Sequence, residues 1–412
     1  MKKILYFFLA TTMGLTLTSC GNDDDFTESI FDTTSGAVDS TAATAPFDKW
    51  LYENFVVPYN TEIQYKFNYP ASSLEFQLTP ADYKKSQLLT HFIKYLFYDV
   101  YNKYAGEDFM KKYGPRIFHY IGSAAYAPTT GTETLGYASA GVKITLINVN
   151  NMKYWTPETP YTDADMDQLN KDQFHVMHHE FSHILHQTKS YPVAFGQITP
   201  GTYEPRGWQD RDSILTHQLG YLTHYGSSAT YEDFVETLSC TITDTDYRWM
   251  TTIIEACLNG GVKNGDKEQV YALIDSLGIL NAGFDDPGKI WNNFSIYKEK
   301  ALNEETNKYE ETGRYVPSFH LNEAKEKSEV ALKFDEVSKF TSFRDYLDNW
   351  VQIDVEDKAA GINAILKKIS IAQKWHEEKW GLQLFQLRRE VRERQSKVND
   401  FVRDSVTIYD YQ

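Results

Sequence analysis

The sequence predicts an α+β fold, and three observations carry that expectation. A helical segment with a start signal near residue 80 comes first. Two strand-like segments follow between residues 116 and 150. A histidine-rich stretch, HVMHHEFSHILHQ at residues 175–187, then reads as helix, and further helical segments run towards the C-terminus. Strands gathered in one place and helices elsewhere suit an α+β domain, not an alternating βα array. No internal repeat is present.

The first helix begins in LTPADYKKSQLLTHFIKYLFYDVY. Thr79 is its expected N-cap, with Pro80 at the first position and Asp82 closing a capping box. Leu89, Phe92, Ile93, Leu96, Phe97 and Val100 recur at helical spacing. RIFHYIGSAAYAP and TLGYASAGVKITLINVN read as strands separated by the turn-rich TTGTE. Further on, KALNEETNKYEETGRY is charged enough to suggest an exposed loop or helix pair. KWHEEKWGLQLFQLRREVRERQSKVNDFV suggests a terminal helix whose stripe of Leu384, Leu387, Val391, Val398 and Phe401 packs on the body.

The N-terminus, MKKILYFFLATTMGLTLTSC, is an export signal over residues 1–19: Lys2 and Lys3, an apolar run from Ile4 to about Leu17, then small residues. It is too short for an ordinary spanning helix. Leu17-Thr18-Ser19-Cys20 resembles a bacterial lipobox, which makes Cys20 the lipidated first residue of the mature chain and the outer membrane its anchor. GNDDD after it resembles the acidic tag of surface-displayed lipoproteins, and residues 20–45 read as a flexible acidic tether. A folded domain over residues 46–255 and a mainly helical region over 256–412 are expected to follow. A net charge of −16 gives nucleic acid no basic surface to bind. Cys240 and Cys257 can form one disulfide or stay as thiols, and the sequence leaves both open.

On a helix of 100° per residue, with His175 at zero, His186 falls at about 20°, His179 at about 40° and His183 at about 80°. Ile184, Met177 and Phe181 fall at roughly 180–240°. One face is apolar and the other carries imidazoles. Within the run, His179-Glu180-Phe181-Ser182-His183 is an H-E-x-x-H pattern. Histidines four apart stand one turn apart, so both can reach a zinc ion at about 2.0–2.1 Å. Glu180 projects beside the metal, where it can take a proton from an activated water. His186 lies on the same face, lining the cleft or supporting the site. His175 and His178 read as structural or surface groups.

A catalytic zinc needs a third protein ligand. The pattern that adds a third histidine six residues on fails, because Lys189 occupies that place. SSATYEDFVETLSC, residues 227–240, offers a second acidic helix. Thr230 is the expected N-cap and Asp233 its capping-box partner. That leaves Glu232 for the metal and Glu236, one turn on, to accept a hydrogen bond from the far nitrogen of a ligating histidine. Asp233, His224 and Glu236 are the alternatives for the third ligand.

H-E-F-S-H followed some fifty residues later by E-D-F-V-E, behind a lipobox, resembles the gluzincin-type zinc metallopeptidases. More closely, the chain resembles the substrate import-associated zinc metallohydrolase lipoproteins that accompany TonB-dependent nutrient uptake systems. The resemblance implies a zincin-like domain with a mixed sheet and a metal-binding helix. It also implies one catalytic Zn2+ held by His179, His183 and Glu232, with Glu180 as base. A peptide or protein substrate is implied as well, with an importer and its surface lipoprotein as partners. Tyr225, seven residues before Glu232, is a candidate donor to the oxyanion, and the segment Thr134 to Val149 a candidate edge for an extended peptide. The rival reading is a non-catalytic zinc-binding surface lipoprotein that captures nutrient for an importer.

Overall fold

In the computed structural model, the described residues are 38–67, 76–126, 133–134, 136–139, 143–257, 267–279, 295–303, 306, 308–318, 331–332 and 361–406. The signal segment, Cys20 and most of the expected tether lie outside them. The chain divides into two units, Met1–Tyr52 and Glu53–Gln412. In the first, helix α1 (Ala45–Leu51) opens with Pro46 in its first turn, where the missing N–H costs nothing. The Thr44 hydroxyl donates to Asp48 at 2.6 Å.

In the second unit a single helical turn over Val57–Tyr59 precedes β1 (Glu62–Gln64). A helical run follows as α2 (Tyr83–Ile93), a π-helical turn over Lys94–Tyr98, and α3 (Asp99–Ala105), then α4 (Glu107–Tyr113). Its start corrects the expected cap. Asp82 is the N-cap, accepting from the Lys85 N–H at 2.9 Å. Thr79 is held elsewhere: its N–H donates to Ser123 Oγ and its carbonyl accepts from Gly122 N–H. Residues 79–81 therefore extend along the loop after the next strand and do not join the helix.

Strands β2 (Ile117–Tyr120), β3 (Ala125–Tyr126), β4 (Glu133–Thr134), β5 (Gly136–Ser139) and β6 (Lys143–Leu146) follow. The main sheet has the order β1-β2-β6-β5. β1, β2 and β6 run parallel, and β5 closes the sheet antiparallel to β6. This is a mixed sheet in an α+β fold. Phe118, Tyr120, Ile144 and Leu146 on one face of the central strands and His119 and Thr145 on the other are all buried, so the strands are covered on both faces.

Helix α5 (Asp163–Leu169) leads through a π-helical turn over Asn170–Phe174 into α6 (His175–Thr188), which carries the histidines. α6 packs against β5 and β6. Its apolar face agrees with the helical wheel: Met177, Phe181 and Ile184 are buried. Phe181 sits among the rings of Phe97, Tyr101 and Phe109 at 5.3, 5.1 and 6.1 Å, mostly edge to face. Then come α7 (Ser213–Gln218), α8 (Thr230–Thr243), α9 (Asp246–Cys257) and α10 (Lys267–Leu277).

The charged stretch from Lys300 to Tyr315 corrects a second expectation. Residues 300–303 and 308–315 form neither loop nor helix pair but belong to an antiparallel ladder of β7 (Ser295–Asn303) and β8 (Lys308–Ser318), with β9 (Ala331–Leu332) on the far side of β7. Tyr309 and Tyr315 within the stretch, and Ile296, Tyr297 and Val316 beside it, favour strand, a preference that the density of charged residues conceals.

The expected single terminal helix is three: α11 (Gly361–Trp380), α12 (Leu384–Ser396) and α13 (Val398–Ser405). Gly381 has φ +67°, a left-handed turn that stops α11. α11 braces both helices that matter below. The Trp375 indole donates to the carbonyls of Lys189 and Ser190, just past the end of α6, and its ring packs 5.1 Å from Phe234 of α8. Among the described residues no helix is long and apolar enough to cross a membrane.

Candidate metal centre

α6 and α8 face one another antiparallel, so the i, i+4 ladder of histidines on one meets an i, i+4 ladder of acids on the other. His183 lies by Glu232, His179 by Glu232 and Glu236, and His175 by Glu236. His179 Nε2 and His183 Nε2 are 3.1 Å apart, and each is 3.2 Å from Glu232 Oε2. Donors held about 2.0–2.1 Å from a tetrahedral zinc ion stand about 3.4 Å from one another. The triangle is close to that size.

The far nitrogens fix which atoms face inward. His179 Nδ1 is 2.5 Å from Glu236 Oε1, and His183 Nδ1 is 3.0 Å from His186 Nε2. An Nδ1–H donated to Glu236 leaves the Nε2 lone pair of His179 turned towards the triangle. Three electron-rich atoms within 3.2 Å of each other need a proton or a metal cation between them. The donor set of two imidazoles and one carboxylate fits zinc.

The electrostatics agree. Burial opposes charge on His179, yet hydrogen bonds to Glu232 and Glu236 raise it to about 10. Burial likewise opposes charge on Glu232, but His179 and His183 hold its carboxyl down to about 2. Glu236 is held well below the usual carboxylate range, against its burial, by His175 and His179. The pocket is built for positive charge, and a metal ion would take the place of the proton that otherwise sits on His179.

Around this triangle the other predicted residues fall as follows. Glu180 is buried at 8% exposure, and its charge adds to that of Glu232 in raising the Tyr225 phenol, whose burial acts first. The Tyr225 hydroxyl donates to Glu232 Oε1 at 2.9 Å. His224 joins no cluster of metal-capable groups among the described residues. Asp233 turns away from the triangle: its Oδ2 is 2.7 Å from Lys368 Nζ and accepts from the Tyr203 hydroxyl.

Asp233 therefore does not serve as a capping-box partner. The N-cap of α8 is Ala229, without a side-chain hydrogen bond, and Thr230 is already helical. The aspartate is engaged by a lysine far along the chain, a competitor that local spacing does not reveal. Cys240 carries a free, buried thiol.

Three participants escape the sequence reading. His175 reads in sequence as a structural or surface group, but its Nε2 lies 2.9 Å from Glu236 Oε1. Thr223 donates to Glu236 Oε2 at 2.5 Å. Lys368 reaches Asp233 from α11. The position of His175, one turn before His179 and facing a carboxylate ladder, was the available signal. Nothing in the sequence points to Thr223 or Lys368.

A family described as "Putative zinc-binding metallo-peptidase" matches residues 40–278 of the chain. Among solved structures, the chain resembles one titled as a putative zinc-binding metallo-peptidase from Bacteroides caccae ATCC 43185. The TM-score is 0.52 and the identity 23%, over 92% of this chain and 100% of that one. At that identity the likeness speaks for the fold. No curated protein matches the chain.

Proposed function

Because the chain belongs to this zinc-binding metallo-peptidase family, whose match covers more than half of it, we propose that it hydrolyses peptide bonds with one catalytic zinc ion. His179, His183 and Glu232 would hold the ion. The observation that carries the reading is the triangle of ligand atoms, with Glu180 placed between the two histidines in sequence and buried beside Tyr225. A purely structural zinc site gains nothing from such a base.

Zinc in that site would act as a Lewis acid on water and on the scissile carbonyl. Glu180 accepts the proton of the attacking water and passes it to the leaving amine. Tyr225, released from Glu232, donates to the oxygen of the tetrahedral adduct. Glu236 and His186 keep the two imidazoles in the orientation that binding needs. β5, outermost in the sheet and packed on α6, supplies an edge along which an extended peptide can pair.

The test is Glu180→Ala, assayed for bound zinc and for cleavage of a peptide library. Zinc should stay at one per chain while hydrolysis falls to background. Unchanged hydrolysis would overturn the enzymatic reading, and absence of cleavage by the wild-type chain itself would favour the nutrient-capturing lipoprotein.

The proposal extends to location. The lipobox-like sequence ending at Cys20 and the acidic tract behind it support a lipid anchor in the outer membrane with outward display, beside a TonB-dependent importer and its surface lipoprotein. Labelled fatty acid should enter the wild-type chain; its incorporation into Cys20→Ala would refute the anchor.

A further inference from the structure

α11 lies outside the stretch matched by the family, yet one of its side chains reaches the turn that carries Glu232. Lys368 is buried, at 2% side-chain exposure, and its ammonium is 2.7 Å from Asp233 Oδ2. It also donates to the Gly220 carbonyl at 2.7 Å and lies 3.9 Å from the centroid of the Tyr221 ring. The Tyr203 hydroxyl donates to the same Asp233 oxygen at 2.7 Å. The fit around α11 is close. A side chain on Gly361 would strike the His217 carbonyl, and one on Gly220 would strike Ala364.

The turn so gripped is one that needs holding. α8 begins at Ala229 and Thr230 without a side-chain cap, and Glu232 stands in its first turn. Helix ends whose N–H groups lack a capping side chain fray, and a frayed turn lets its side chains wander. Here the ligand would wander.

We infer that Lys368 is a positioning residue of the metal centre. Through Asp233 it does the work of the missing cap and holds the Glu232 carboxylate at its distance from His179 and His183. The inference rests on Glu232 being a zinc ligand.

The experiment uses the full chain in five forms: wild type, Glu232→Ala, Lys368→Met, Lys368→Arg, and the double variant Asp233→Asn/Lys368→Met. Each is measured for melting temperature, zinc affinity by chelator competition, and the visible spectrum of the cobalt-substituted form. Cobalt spectra report ligand geometry, which a loss of stability alone does not change. Glu232→Ala should lose tight zinc.

Lys368→Met, assayed well below its melting temperature, should bind zinc about 10–100-fold more weakly, with an altered cobalt spectrum. Lys368→Arg should recover part of the affinity. The double variant, free of unpaired buried charge, should regain melting temperature but not affinity. If Lys368→Met or, where that variant does not fold, the double variant binds zinc like wild type with an unchanged cobalt spectrum, the ion pair is structural only and the inference is overturned. If Glu232→Ala itself keeps wild-type affinity, the ligand assignment is wrong and the role of Lys368 falls with it.

Discussion

The carboxylate of Glu236 sits 2.5 Å from Nδ1 of His179, on the side of the imidazole away from Glu232. His175 Nε2 at 2.9 Å and the Thr223 hydroxyl at 2.5 Å complete its surroundings. Two groups thus hold one carboxylate that in turn holds one ligand. Glu236→Ala should weaken zinc binding about 10–100-fold, as loss of a partner behind a ligating histidine does. His175→Ala removes only one of the two groups and should cost less than Glu236→Ala. Chelator competition on both variants checks the order; the reverse order would deny Glu236 its role.

Tyr225 is 38% exposed and its hydroxyl rests on Glu232 Oε1. Tyr225→Phe should leave zinc content intact and lower kcat by about 10²–10³, the usual loss for one oxyanion donor. A fall in zinc content with little change in turnover per bound zinc would instead make Tyr225 a support for the ligand.

Asp233 separates a capping role from an ion-pair role by magnitude. Loss of a helix cap costs about 1 kcal/mol, whereas breaking a buried ion pair from one side costs about 3–5 kcal/mol. With Lys368 and Asp233 both buried, Asp233→Ala strands the ammonium, and chemical denaturation should show the larger loss. A loss near the smaller figure would mean that Lys368 finds water or another partner.

His376 supplies a pH dependence remote from the metal. It is 1% exposed, its Nδ1 faces the Leu382 carbonyl at 3.2 Å, and burial pushes its pKa down to about 4. The unfolded chain binds the proton first as pH falls, so this contribution to stability is full above about pH 6.5 and is lost on the way down to about pH 4. The loss amounts to about 3 kcal/mol at roughly 1.4 kcal/mol per pH unit. Denaturation at pH 7 and pH 4.5 should show a smaller drop for His376→Gln than for wild type; equal drops would contradict this.

The parts legible in the sequence are those where one helix carries its own information. α6 displays both faces in fourteen residues, and the pairing of Glu232 with Glu236 is visible as one turn of α8. The illegible parts are decided between distant segments. Thr79 has every local attribute of a cap but binds Ser123 and Gly122 instead. Asp233 sits where a capping box would place it and is taken by Lys368. The ladder of β7 and β8 is hidden because its charged residues mask the strand preference of its Tyr, Val and Ile.

The brace formed by α11 also sets a timetable. Residues 175–243, which hold every group of the metal centre, leave the ribosome more than a hundred residues before Lys368 and Trp375, which pin them. Contacts this far apart in sequence form late in folding. An unfinished or clipped chain therefore holds the ligands without the clamp, and maturation of the centre waits for the last helices to dock.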